Sequence, residues 1–305
     1  MIWYLEFEKE FILWLQGLFV GSFLQKLLYW FNYDISLLGT EVVAIAIIGM
    51  IYWGLNKEKG RNIGLAVIFV SATNTMIKDI FKRLRPYQSV EQIKLLQNVG
   101  GYSFPSGHSS DASSLTYSLA LNYPKKLFKR LAIVLPILIA LSRNYLGCHW
   151  LSDVIVGLLF GYLIAFINDK LIKRYPDKQK MISIIYLMIS AIGLLYCEAD
   201  DYFTSFGILI GFVLAMYYDE KKVNFTNTDK WYLVITRTIG GLLVYFILSP
   251  ILKRVFALVA TDNVFVLGSL RMLRYAIVVF VMLAIYPMLF KYEDKLLKKK
   301  NKIIE

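Results

Sequence analysis

The chain has 305 residues, of which 57% are hydrophobic and only 18% charged, with a formal net charge of +12. Water-soluble domains of this size are less apolar, so the composition places the chain in a membrane and excludes an ordinary soluble enzyme. The positive balance does not mark a nucleic-acid binder, because the basic residues sit in short loops between apolar runs, the pattern of a multi-pass membrane protein.

The opening MIWYLEFEKE is acidic and aromatic and lacks the pattern of a cleavable signal peptide. Residues 1–33 are amphipathic. They mix Trp3, Phe7, Phe11 and Trp14 with Glu6, Glu8, Lys9 and Glu10. They read as an interfacial segment, since the charge-free window Phe11–Leu24 falls short of the ~20 residues that cross a bilayer; a span is the alternative. Apolar runs then recur at about 37–55, 63–80, 106–122, 131–147, 149–168, 181–197, 203–218, 231–252 and 270–291. In lipid such runs must be helical to satisfy their backbone. The third, SGHSSDASSLTYSLALN, is too polar to face lipid and belongs inside the bundle.

The loops give an orientation. Loops 56–62, 123–130, 169–180 and 219–230 and the tail 291–305 are rich in lysine and arginine and share one side, which the positive-inside bias makes cytoplasmic. The loop 81–105, the acidic turn Glu198, Asp200 and Asp201, and the loop 253–269 face the other side. Lys82, Arg254, Arg271 and Arg274 read as side chains that snorkel to the interface, with Arg83 undecided. Glu41, inside the first span, calls for a partner, either a structural one or a cation of the site or bundle. Cys148 and Cys197 form no spacing motif and read as small, unpaired apolar residues.

Three polar blocks stand out against this apolar background. The first is Lys78-Asp79-Ile80-Phe81-Lys82-Arg83-Leu84-Arg85-Pro86. Pro86 disfavours helix at Arg85, so the second span is expected to end there and turn Arg85 aside. The second is Tyr102–Ser110, YSFPSGHSS. Ser106 can cap the following helix, Gly107 lets backbone approach a ligand, and the free N–H groups at that helix start favour an anion. The third runs from Ser142-Arg143 through His149 to Asp153. His149 and Asp153, four apart on a predicted helix, share a face. The chain has two histidines, and both fall in these blocks. The charge-derived topology brings all three blocks to the non-cytoplasmic side.

Together and in this order, the blocks resemble the signature of the type 2 phosphatidic acid phosphatase (PAP2) superfamily. The resemblance covers about Lys78 to Asp153. It implies an all-α, polytopic transmembrane bundle with a PAP2-like six-helix core at 34–175; the apolar runs beyond that core add about four transmembrane helices in 176–305. It implies that His149 is the nucleophile that takes up the phosphoryl group, that Asp153 orients it, and that His108 is the general acid. Lys78, Arg85, Arg143, Ser106 and Gly107 would then bind phosphate. No cofactor or metal is expected, the cations being the protein's own.

The expected function is an integral membrane lipid phosphatase acting on the extracytoplasmic face, with the C-terminus cytoplasmic. Prenyl diphosphates such as undecaprenyl diphosphate, phosphatidic acid, phosphatidylglycerol phosphate and sphingoid phosphates remain open as substrates. A phosphotransferase using the same site, or a non-catalytic lipid-phosphate binding or transport protein, are the alternatives. The expected partners are the lipid substrate and membrane lipids; the oligomeric state is open.

Overall fold

The computed structural model describes residues 4–293; expectations that rest on Trp3 or on the lysine tail beyond residue 293 lie outside them. Among the described residues the regular structure is helical throughout: α1 (Glu6–Gly17), α2 (Phe23–Leu37), α3 (Glu41–Gly49), α4 (Lys57–Phe81), α5 (Pro86–Ser89), α6 (Gly107–Asn122), α7 (Lys126–Tyr145), α8 (Leu151–Arg174), α9 (Gln179–Ala191), α10 (Asp200–Tyr218), α11 (Trp231–Phe256) and α12 (Val264–Phe280). Among the described residues, six helical runs are long and apolar enough to cross a bilayer: Lys57–Ser89, Leu151–Arg174, Pro176–Leu195, Asp200–Val223, Trp231–Phe256 and Val264–Glu293. The chain is a multi-span, membrane-embedded protein.

The boundaries differ from the sequence expectation in places that have local causes. The first span is bent: α2 and the run Glu41–Leu55 meet at 50° and are long and apolar enough to cross a bilayer only as a pair. One arm of that unit lies in the segment read as interfacial. The bend falls at Gly39, where an added Cβ would come within 3.3 Å of His108. The helices at the predicted spans 106–122 and 131–147 are not both long and apolar enough to cross by themselves. Helix α6 is a short serine-rich helix, and the apolar stretch of α7 is bounded by Arg130 and Arg143. The predicted loop 56–62 is instead the first turns of α4, capped by Asn56, whose side chain accepts from the Lys59 N–H at 2.9 Å.

Helix α6 sits among α4, α7 and α8 and buries its serines. It meets α8 at Gly157 and Gly161. A Cβ on Gly161 would stand 2.2 Å from the Ser110 carbonyl oxygen, and one on Gly157 would stand 2.6 Å from that of Ser106. Small residues thus let the two backbones touch.

The C-terminal helices are not a separate body. The largest buried cluster joins Tyr52, Trp53, Leu65 and Phe69 to Leu209, Phe212, Val278 and Met282. Ion pairs add to it at one end of the bundle. Asp219, fully buried, accepts from Lys57 Nζ at 2.9 Å and Arg61 NH2 at 2.6 Å, and Glu220 accepts from Arg61 NH1 at 2.9 Å.

Several interior charges depart from expectation. Arg274 is buried rather than snorkelling and lies over the Tyr275 ring. Arg271 pairs with Asp200 at 2.7 Å. Glu41 accepts from the Tyr245 hydroxyl at 3.0 Å, so the partner named for it by the structure is a hydroxyl and not a cation. Both cysteines are buried and, among the described residues, unpaired.

Candidate active site

The three polar blocks are tied together by hydrogen bonds that end on backbone carbonyls. The Ser103 N–H donates to the Arg83 carbonyl at 2.8 Å, and the Ser106 N–H to the Asp153 carbonyl at 3.0 Å. The Trp150 indole N–H donates to the Leu84 carbonyl at 3.0 Å, and Arg85 NH1 to the Cys148 carbonyl at 2.9 Å. Residues separated by tens of positions are therefore held in register by hydrogen bonds to main-chain carbonyls, two from backbone N–H groups and two from side chains.

Helix α4 ends earlier than Pro86 alone would suggest. Lys82 adopts the left-handed conformation (φ 46°) just after Phe81 and stops the helix. Lys78 remains on the last turn of α4, whereas Arg85 caps the short α5. The Arg85 guanidinium also donates to the carbonyls of Gly100 at 2.6 Å and Gly101 at 3.0 Å. Its NH1 lies 3.1 Å from His149 Nε2.

His149 is not on a helix, contrary to the sequence reading; it precedes α8, in the α7–α8 loop, where Trp150 is the N-cap. Its Nδ1 nevertheless lies 3.5 Å from Asp153 Oδ2 and 3.4 Å from Ser103 Oγ. Arginine only donates hydrogen bonds, so the neighbour of Arg85 at Nε2 must be a lone pair and the ring proton belongs on Nδ1. The tautomer is thus set from both sides. Asp153 is itself held by the Trp150 N–H at 2.7 Å, by the Ser103 hydroxyl and by Arg83 NH1 at 2.5 Å. Burial, and then the charges of Arg85, Lys78 and Arg143, hold the His149 pKa well below its ordinary 6.5. The ring is accordingly neutral in the unliganded protein at pH 7.

His108 lies in the first turn of α6, after Ser106, whose Oγ accepts from the Ser109 N–H at 3.4 Å. Gly107 opens that helix. Arg143, at the end of α7, donates to Ser36 Oγ at 2.6 Å and to Gln97 Oε1, while its buried Nε has no hydrogen-bond partner among the described residues. Lys78, Arg85, Gly107, His108 and His149 all line one cavity; Ser106, Arg143 and Asp153 stand behind its surface.

Four residues in this network escaped the sequence reading. Ser103 bridges His149 and Asp153. Arg83, left undecided, is buried and joins Asp153 to Glu8. Glu8, from the amphipathic N-terminal segment, accepts from the Ser152 N–H at 2.7 Å and from Arg83 NH2 at 3.0 Å. Burial alone would raise its carboxyl, but hydrogen bonds from Leu5 and Ser152 and the Arg83 charge outweigh it and hold the pKa below 4.5. Asn74, 1% exposed, donates from Nδ2 to Ser110 Oγ at 3.1 Å. Ser110 spends its own proton on the Gly107 carbonyl, so the amide orientation is fixed and the unpartnered Oδ1 points toward Gly107. Among the described residues, no group of three or more His, Cys, Asp or Glu side chains is arranged to hold a metal ion.

The sequence matches the PAP2 superfamily over residues 59–177 and the transmembrane extension of PAP2 superfamily phosphatases over residues 203–295. It is 33% identical over 150 residues to an undecaprenyl-diphosphatase of Sulfolobus acidocaldarius, covering 48% of this chain and 71% of that protein. The chain belongs to the PAP2 superfamily. A second PAP2 relative, phosphatidylglycerophosphatase B of Bacillus subtilis, is 31% identical over 160 residues, covering 47% of this chain and 76% of its own. The crystal structure of Aquifex aeolicus LpxE aligns at 26% identity with a TM-score of 0.47, over 53% of this chain and 93% of that one. The PAP2 match spans every block of the site, and the extension match covers the C-terminal helices that share its core.

Proposed function

We propose that the chain is a membrane lipid phosphatase that hydrolyses a lipid phosphate or diphosphate through a phosphohistidine at His149. The observation that carries this is the two-sided environment of that ring. Its Nδ1 faces Asp153 and Ser103, its Nε2 faces the cavity, and the cations Lys78 and Arg85 line the same cavity with His108.

In the first step the Nε2 lone pair attacks phosphorus. The Nε2–P bond forms and the P–O bond to the lipid breaks, while His108, which takes up a proton as the anionic phosphate binds beside it, gives that proton to the departing alkoxide. The positive charge that develops on the His149 ring is met by Asp153. In the second step a water, losing its proton to His108, attacks the phosphohistidine and releases inorganic phosphate, so both histidines return to their starting states. Lys78, Arg85 and Arg143 offset the phosphate charge throughout, with the Ser106–His108 helix start as a fixed dipole. Because these cations belong to the chain, the reaction is assigned no metal.

Loop charge supports an extracytoplasmic site. Lys78 stands roughly 30 Å along α4 from Lys57, which is part of the basic end.

The test is phosphate release by the purified chain from a panel of lipid phosphates and diphosphates in detergent containing EDTA. Turnover by the intact chain and its loss in His149→Ala is the expected result. Turnover that vanishes with EDTA, or survives in His149→Ala, would refute the mechanism. The named relatives act, by their names, on undecaprenyl diphosphate and phosphatidylglycerophosphate, and both belong in the panel.

A further inference from the structure

The cavity that holds His108, His149, Lys78 and Arg85 does not end at them. It encloses about 750 Å³. Along α4 it continues from Lys78 to Val67, roughly 16 Å at the rise of an α-helix. Its wall changes character on the way. Beside the catalytic groups it presents Asn74, Ser71, Asp111 and Glu41. Further in, it presents Ile45, Ile48, Ile208, Phe212, Met282 and Leu283.

The two sides of this inner chamber come from different parts of the chain. One side is α3 and α4. The other is α10, Tyr245 of α11 and the wide turn Val281–Ile285 that follows α12. The second side lies in the C-terminal extension, where no catalytic motif occurs. Trp53 closes the inner end. It is completely buried, and an added Cβ on Gly49 or Gly241 would come within 2.3 or 2.1 Å of its ring. The indole is gripped between α3 and α11 and cannot swing aside without moving one of them.

We propose that the extension exists to complete this chamber, which takes the hydrocarbon chain of the lipid phosphate, and that Trp53 sets the longest chain accepted. This rests on the lipid-phosphatase reading above. An apolar chamber in continuity with a phosphate site fits one occupant, a chain covalently joined to that phosphate. The headgroup meets His149, the polar collar holds the first atoms of the lipid, and the chain runs down between α4 and α10.

The experiment is a chain-length series of n-alkyl phosphates, from butyl upward, hydrolysed by the purified full chain in detergent. The expected kcat/KM rises about fourfold per added methylene until the chain reaches Trp53, then falls. Ile208→Trp is expected to lower the long-chain to short-chain ratio of kcat/KM by about tenfold or more. A flat series, or an unchanged ratio in Ile208→Trp, overturns the chamber. Absence of phosphate release from every member and from the lipid panel overturns the phosphatase reading instead. A further measurement needs no variant. An alkyl phosphate with a diazirine at its chain terminus, photolysed on the wild-type chain, should label α10 or Val281–Ile285. Labelling confined to the outward faces of α7 and α8 would place the chain in bulk lipid and refute the proposal.

Discussion

His149 is tuned by what surrounds it rather than by its own position in the sequence. A neutral, buried ring resists protonation in the folded protein while the unfolded chain takes up a proton near pH 6.5. As pH falls below that value the unfolded state binds more protons, so stability declines with acid through this group. Glu8 acts in the same direction lower down: its depressed pKa contributes stability above 4.5 that is lost as pH falls through the folded value. With two histidines in the chain, nitrogen-15 histidine NMR can follow each ring, His149 being assigned as the signal that survives in His108→Asn. The expected result is a neutral His149 with a proton on Nδ1 down through pH 6.5. Removing a neighbouring cation in Lys78→Met should move its titration upward. A ring already charged at pH 7 in the unliganded protein would contradict the electrostatics described here. At this scale the sequence was informative about the polar groups that line the cavity and silent about their supports. His108, His149, Arg85 and Lys78 sit in blocks whose spacing can be read. Ser103 and Glu8 carry no spacing signal, because a lone hydroxyl or a surface-looking glutamate acquires its role only when chain segments meet. Ser103 at least lies inside the conspicuous stretch Tyr102–Ser110.

Among the elements, the α6–α8 contact decides whether the site exists. The Ser106 amide is bonded to Asp153, and Gly157 and Gly161 let α6 lie flush on α8. Gly161→Leu would push a side chain into the Ser110 backbone, which cannot yield as a flexible side chain would. Overpacking of this kind is expected to destabilise the detergent-solubilised protein by about 1–3 kcal/mol and separate His108 from His149. Thermal unfolding and phosphate release read both effects; a variant with full activity and an unchanged midpoint would show that the two helices are not packed this way. Hydropathy revealed most spans but mislocated helix ends, since it cannot register the left-handed turn at Lys82 or the bend at Gly39. It did expose α6 as a helix unsuited to lipid, through its run of serines.

Across the whole molecule, the extension and the PAP2 core share one buried cluster and one charged end. The resemblance recognised in the sequence stopped at Asp153, so the role of the later helices could not be ranked from residues alone. Their meaning lies in contacts across more than 150 positions, such as Arg61 with Asp219. Asp219→Ala removes the only carboxylate that Lys57 contacts among the described residues and half of the carboxylate environment of Arg61. Breaking a buried pair from one side is expected to destabilise by about 3 kcal/mol or more. The thermal midpoint in detergent should fall accordingly, and recover in part when Arg61 and Lys57 are replaced by methionine in the same chain. No change in the midpoint would mean that the extension is held by its apolar contacts alone.

The serines of α6 carry a consequence for how the molecule is made. A ribosome releases α6 before α8, yet α6 alone has too few apolar side chains to partition into bilayer. Its entry must wait at the translocation machinery for a companion helix, and the candidate site therefore assembles only once the polypeptide has been synthesised past Arg174. Nascent chains stalled short of that residue should leave α6 accessible to aqueous reagents, and longer ones should shield it.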